Sequence, residues 1–258
     1  VPSDRSGGGG PTRGGSVVDS GLIRARPRQG PWELLLPIIG LEVQARWRQL
    51  GHWLGWRRTV EVLEEDMSIP DSQLCHKATD LVRALSPEVL VQHGLRSYVF
   101  GGALARLDGL IYDRELFFLA CIMHDLGLTE SCHGPRAFEV EGADRAYAFL
   151  VEQQIPREGA RTVHQAIALH ARIGMAVKHN REGALLQAGA GMDVLGLRAE
   201  DLTRAGRQRV ADRFPRLGFK SAISRLIGEQ ARTRPQCNIA GHVQFGFLQR
   251  IQRAPFVE

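Results

Sequence analysis

An all-α fold, a compact bundle of about seven to nine helices, follows from three features of the sequence. The stretch from Glu115 to Gly127 is apolar from Leu116 to Met123 and again at Leu126, the pattern of a helix buried nearly all round. Proline-marked helix starts recur at Ile69-Pro70-Asp71-Ser72 and at Ser86-Pro87-Glu88. No stretch sustains the period-two alternation of a half-buried strand.

Residues 1–30 hold glycine runs and five arginines (5, 13, 24, 26 and 28), a composition that cannot offset its ordering entropy by burial. This tail is expected to be disordered. Residues 31–64 read as a helical extension in which Trp47, Trp53 and Trp56 alternate with arginines beside His52. Its aromatics suit packing, or a helix laid on a partner, better than a nucleic-acid platform. Residues 65–258 form the main domain. A helix capped by Asp71 or Ser72 carries Leu74, Ala78, Leu81, Val82 and Leu85 at helical spacing. The next starts with Ser86 as cap and Pro87 in its first turn, and places His93 and Arg96 on one side, three residues apart. The apolar central helix ends in His124 and Asp125, with Gly127 expected to stop it in a left-handed conformation.

Further helices are expected over about 138–152 and 156–172. On the latter, His164 and His170 are about 240° apart and cannot share one small site. The segment from Gly183 to Gly196 is built of small residues that allow close helix approach, and Asp193 is its only charge. Two amphipathic helices follow at about 199–213 and 221–233, the second with Ser221 as cap.

The 258 residues suffice for a sizeable core; 43% are hydrophobic and 24% charged, as in soluble globular proteins. Lys and Arg exceed Asp and Glu by 33 to 28, but the tail holds five arginines against Asp4 and Asp19, leaving 28 against 26 elsewhere. Nucleic-acid binding by the folded part is therefore not expected. Cys75, Cys121, Cys132 and Cys237 show no CxxC spacing, which points to a reduced, cytoplasmic protein. The apolar run Leu34–Gly40 is shorter than a span of ~20 residues and contains Pro37, so neither a membrane partner nor a secretion signal is expected.

A histidine and a carboxylate side by side in apolar surroundings need a partner, a hydrogen bond or a metal. The order His93, His124-Asp125, Asp193, each on a separate helix, resembles the H…HD…D pattern of the HD superfamily of metal-dependent enzymes. Within it the chain is most similar to the cyanamide-hydratase-like branch. The likeness lies in Ser68-Ile69-Pro70-Asp71, in His93 through Gly101, in His124-Asp125-Leu126-Gly127 and in Phe138 through Ala143. It continues in Ala166 through His170 and in Asp193-Val194-Leu195-Gly196.

The resemblance implies His93, His124, Asp125 and Asp193 as ligands of one divalent metal, Zn²⁺ first, with Fe²⁺ or Mn²⁺ also suited to such donors. It implies metal-activated water adding to a small nitrile- or amide-type molecule such as cyanamide, with His170 or Arg96 as donor to the developing charge and Asp125 or Asp193 able to carry a proton. His164 is expected to be structural, and a second metal through His170 or His133 is not expected. Two other readings stay open. One is a phosphohydrolase acting on a nucleotide or phosphomonoester, with Arg216, Lys220 and Arg225 as basic candidates. The other is a metal-binding regulatory protein without turnover. The partner is a small molecule in the first two, and a homo-oligomer is open. The tail, the Trp/Arg helix, Gly94 and the Cys132-His133 loop depart from the likeness.

Overall fold

The computed structural model describes residues 31–132, 134–172 and 180–258. The disorder expected for 1–30 and the role considered for His133 concern residues outside these. Among the described residues there are twelve α-helices and no strand. They are α1 (Pro31–Trp53), α2 (Glu64–Met67), α3 (Gln73–Leu85), α4 (Glu88–Asp108), α5 (Arg114–Met123) and α6 (Phe138–Glu152). Then come α7 (Arg157–Leu169), α8 (Arg181–Leu195), α9 (Arg204–Arg213), α10 (Phe219–Thr233), α11 (Asn238–Gln244) and α12 (Phe247–Arg253). The bundle is the expected one. The helices beyond the expected number are α2, α11 and α12, of 4, 7 and 7 residues, too short to show a periodic stripe.

The centre is α4 against α8, with α5 across both. α5 is buried from Phe117 to Met123, and α4 is buried continuously from His93 to Ala105. Small residues set the α4–α8 distance: a Cβ at Gly189 would run into the Ser97 carbonyl, and one at Gly101 would meet the Leu185 carbonyl at 2.8 Å. The close approach read from the small-residue run is therefore present, and it brings Asp193 of α8 to His93 and Arg96 of α4.

Several local expectations are corrected. Gly127 does not end α5 in a left-handed turn. The helix ends at Met123, and Leu126–Leu128 forms a 3₁₀ turn. Gly127 is needed there because a Cβ would collide with the Phe138 carbonyl at the start of α6. Ser72 does cap α3, accepting from Cys75 N at 3.1 Å. Ser86, in contrast, closes α3, and Pro87 occupies the cap position of α4. Ser221 lies inside α10, which already begins at Phe219 after left-handed Gly218. The helix expected over 199–213 is broken at extended Leu202, beyond which Thr203 caps α9.

Segment 54–62 ties the extension to the domain. Val60 N donates to Asp201 O and Thr203 N to Val60 O, and Val62 is fully buried in the core. The four cysteines are unpaired. Among the described residues no helix is long and apolar enough to cross a membrane.

Candidate metal centre

Three chain segments deliver the site. His93 comes from the second turn of α4, His124 and Asp125 from the residues directly after α5, and His170 from the end of α7. His93 and His124 are almost fully buried, and Asp125 is 7% exposed. Their Nε2 atoms are 3.1 Å apart. Asp125 Oδ2 is 3.3 Å from His124 Nε2 and 3.6 Å from His93 Nε2.

The backs of the rings fix their protons. His124 Nδ1 donates to the Cys121 carbonyl at 2.7 Å, and His170 Nδ1 to the Ile167 carbonyl at 2.6 Å. A carbonyl only accepts, so Nδ1 carries the hydrogen and Nε2 a lone pair. His93 Nδ1 faces Asp193 Oδ2 at 2.7 Å. Burial alone would raise the Asp193 carboxyl, but Arg96 and the His93 hydrogen bond outweigh it and hold the group well below the usual carboxylate range. Asp193 is therefore an acceptor, and His93 is also protonated at Nδ1. With both Nδ1 atoms turned to acceptors behind them, the two Nε2 atoms meet at 3.1 Å, next to Asp125 Oδ2, which has no hydrogen-bond partner among the described residues.

Such a group turns three potential ligand atoms towards one point. A tetrahedral site with bonds of ~2.0–2.1 Å has ligand-to-ligand edges of about 3.3–3.4 Å. The observed edges of 3.1, 3.3 and 3.6 Å bracket that value. His93, His124 and Asp125 could thus hold a metal ion, and all three are buried. Two imidazoles and one carboxylate suit zinc or ferrous iron, so the donor set leaves the element undecided. Burial, reinforced by His93, lowers His124 to about 3; burial, reinforced by His124, lowers His170 to about 4. Both are neutral, and able to ligate, at neutral pH. Burial raises Asp125, against the opposing pull of His93 and His170.

Asp193 does not join the three. It sits on the Nδ1 side of His93, where Arg96 binds both its oxygens at 2.9 Å and Arg216 reaches Oδ1 at 2.5 Å. Its lone pairs are committed to this cage, so it orients His93 from behind. Arg96 is part of the same cage. Its remaining hydrogen bonds run to the Phe214 and Pro215 carbonyls at 3.2 and 2.9 Å, so it positions Asp193. Phe219 closes the cage, stacked on His93 with centroids 4.5 Å apart and with Arg96 and Arg216 each 5.1 Å from its ring centre.

His170 does border the group. Its Nε2 is 4.0 Å from Asp125 Oδ1, and its ring meets that of His124 edge-on at 4.9 Å. His164 points elsewhere, bonded to Asp144 at 2.9 Å, in keeping with the 240° separation. Of the basic candidates for a phosphate, Arg216 is held by Asp193 and Glu258, and Lys220 Nζ by the Ala254 carbonyl at 2.8 Å. Neither Phe219 nor this role of Arg216 shows in the sequence: Arg216 lies in the connection between α9 and α10 and Phe219 opens α10, and neither carries a pattern linking it to His93.

No protein-family model matches the chain, and no curated protein does.

Proposed function

We propose that the protein is a metal-dependent enzyme of the HD type that adds water to a small nitrile- or amide-type molecule, with cyanamide as the reference substrate. The observation that carries the reading is the convergence of His93 Nε2, His124 Nε2 and the unpartnered Asp125 Oδ2 at metal-ligand spacing. The order of the motif residues along the chain, and its resemblance to the HD superfamily, support it. A divalent ion held there by His93, His124 and Asp125, zinc first, would supply Lewis acidity towards a water molecule.

The chain's own residues do the rest. Neutral His170, with its Nδ1 anchored on Ile167, presents Nε2 towards Asp125 Oδ1, a pair able to take a proton from water and return it to a substrate nitrogen. For cyanamide the oxygen–carbon bond forms as one nitrile π bond breaks and the nitrogen gains a proton, giving isourea; its O–H proton then passes to the same nitrogen as the C=O bond forms and the second π bond breaks, so urea results without a leaving group. The Asp193 cage keeps His93 in the ligating tautomer. The commitment of Arg216 and Lys220, two of the three basic candidates, to other partners, with Arg225 exposed on α10, favours a small neutral substrate over a phosphate ester. A cytoplasmic setting fits the four unpaired cysteines.

The test is metal analysis of the purified protein with His124→Ala and Asp125→Ala alongside, followed by urea- and ammonia-coupled assays on cyanamide and a phosphomonoester panel. About one metal per chain, lost in both variants, with urea formed from cyanamide, is the expected result. Absence of metal from gently purified native protein would sink the enzymatic account, and phosphate release would replace the substrate class.

A further inference from the structure

The aromatic side of α1 is not used by the fold. Arg48 and His52 turn one side of this helix to Asp201, at 3.9 and 2.8 Å. At ~100° per residue, Ile39, Val43, Arg46, Trp47, Leu50 and Trp53 fall on the opposite side. All are exposed: Trp47 by 67% and Trp53 by 81%, with Trp56 just beyond the helix at 77%. So much apolar surface gathered on one helix marks an interaction face. The charge along it is predominantly positive. From residue 39 to 58 the sequence holds Arg46, Arg48, Arg57 and Arg58 against Glu42 alone, and Arg46, Arg57 and Arg58 are exposed.

We infer that this face of α1 lies flat on an anionic lipid bilayer, with its tryptophans and aliphatic side chains at the headgroup boundary and its arginines on lipid phosphates. A bilayer interface meets both demands at once. It takes apolar side chains out of water and seats indole rings at headgroup depth, while its negative surface attracts the arginines. Nucleic acid would satisfy the arginines and leave Ile39, Val43 and Leu50 in water. A second copy paired through a two-fold axis would set Arg46, in the middle of the stripe, against an identical basic face. The expectation of no membrane partner rested on the lack of a span, which does not bear on a helix lying in the interface plane.

All four tryptophans, Trp32, Trp47, Trp53 and Trp56, belong to this segment, so the intrinsic fluorescence of the full chain reads it without a label. The chain is titrated with phosphatidylcholine vesicles and with vesicles of phosphatidylcholine mixed with phosphatidylserine, and co-sedimentation is measured in parallel. The expected result is a blue shift and sedimentation with the anionic vesicles, weakened about fivefold by each of Arg57→Gln and Arg58→Gln. The double variant Val43→Glu with Leu50→Glu loses both signals while keeping its metal content and far-UV circular dichroism. The proposal is overturned by no response to anionic vesicles or by equal binding to neutral ones. It is equally overturned by a shift that follows protein concentration without lipid, which assigns the face to a second copy, or by one produced by an oligonucleotide.

Discussion

Replacing Asp193 with Asn tests the site where sequence pattern and geometry diverge. Asn keeps the shape of the side chain and removes its charge. In the native chain that carboxylate is the shared partner of Arg96 and Arg216, both almost fully buried, and of His93 Nδ1. Removing one partner of a buried ion pair costs about 3–5 kcal/mol, because the remaining charge stays desolvated. Here two guanidiniums remain, relieved only in part by the Phe214 and Pro215 carbonyls and by Glu258. For a chain of this length such a loss lowers the melting temperature by on the order of 10 °C.

That penalty requires no metal, so it should persist when the protein is melted in excess chelator. Metal affinity, measured by competition with a chromogenic chelator, should fall about 10–100-fold, the effect of losing a group behind a ligand. His124→Ala should show the reverse pattern, with metal lost and a smaller effect on the chelated protein. If Asp193→Asn abolished metal binding while leaving chelated stability unchanged, Asp193 would be a direct ligand and the cage argument would fail.

Three other outcomes follow from burial. His170 titrates near 4 in the fold against 6.5 in the unfolded chain, so the unfolded state binds the extra proton between these values. Relative to His170→Gln, metal-free native protein should lose on the order of 3 kcal/mol as pH falls through that window, measured by urea melts; a constant difference would refute it. Glu139 is the opposite case. Burial pushes its carboxyl from 4.5 to about 7 against the weaker pull of its own backbone N–H and of Arg172, and neither oxygen has a well-formed hydrogen bond among the described residues. Stability is therefore lost as pH rises from 4.5 to 7, and Glu139→Gln should be more stable than the native chain above neutrality by on the order of 3 kcal/mol. A native chain at least as stable as the variant there would count against a strained carboxylate. Gly189→Ala should cost about 1–3 kcal/mol, since the added methyl meets the Ser97 carbonyl and backbone cannot rotate away as a side chain can. An unchanged thermal midpoint would show that α4 and α8 separate easily.

The parts of the fold legible in the sequence are those with a local physical signature. Burial of α5 on all sides shows in its unbroken apolar run, and the α4–α8 contact in the small residues around Gly189. The angular distance between His164 and His170 also predicts their separate surroundings. What was not legible depends on contacts between distant segments. Gly127 reads as a helix stop, yet its role is set by the Phe138 carbonyl, which local sequence does not place. The short helices α11 and α12 leave no periodic stripe, so the layer that carries Phe247 and Ile251 shows only in the packed chain.

The same limit explains Asp193. A lone carboxylate in a small-residue helix signals only that something pairs with it. A metal and a guanidinium are equivalent answers at that level, because each offers positive charge to the same oxygens. Arg96 is visible three residues after His93, but Arg216 comes from a turn 23 residues beyond Asp193 and decides the matter. With one arginine, Asp193 could keep a free lone pair for a metal. With two arginines and the His93 N–H, both oxygens are saturated, so a cation between His93 and His124 would take its carboxylate oxygen from Asp125.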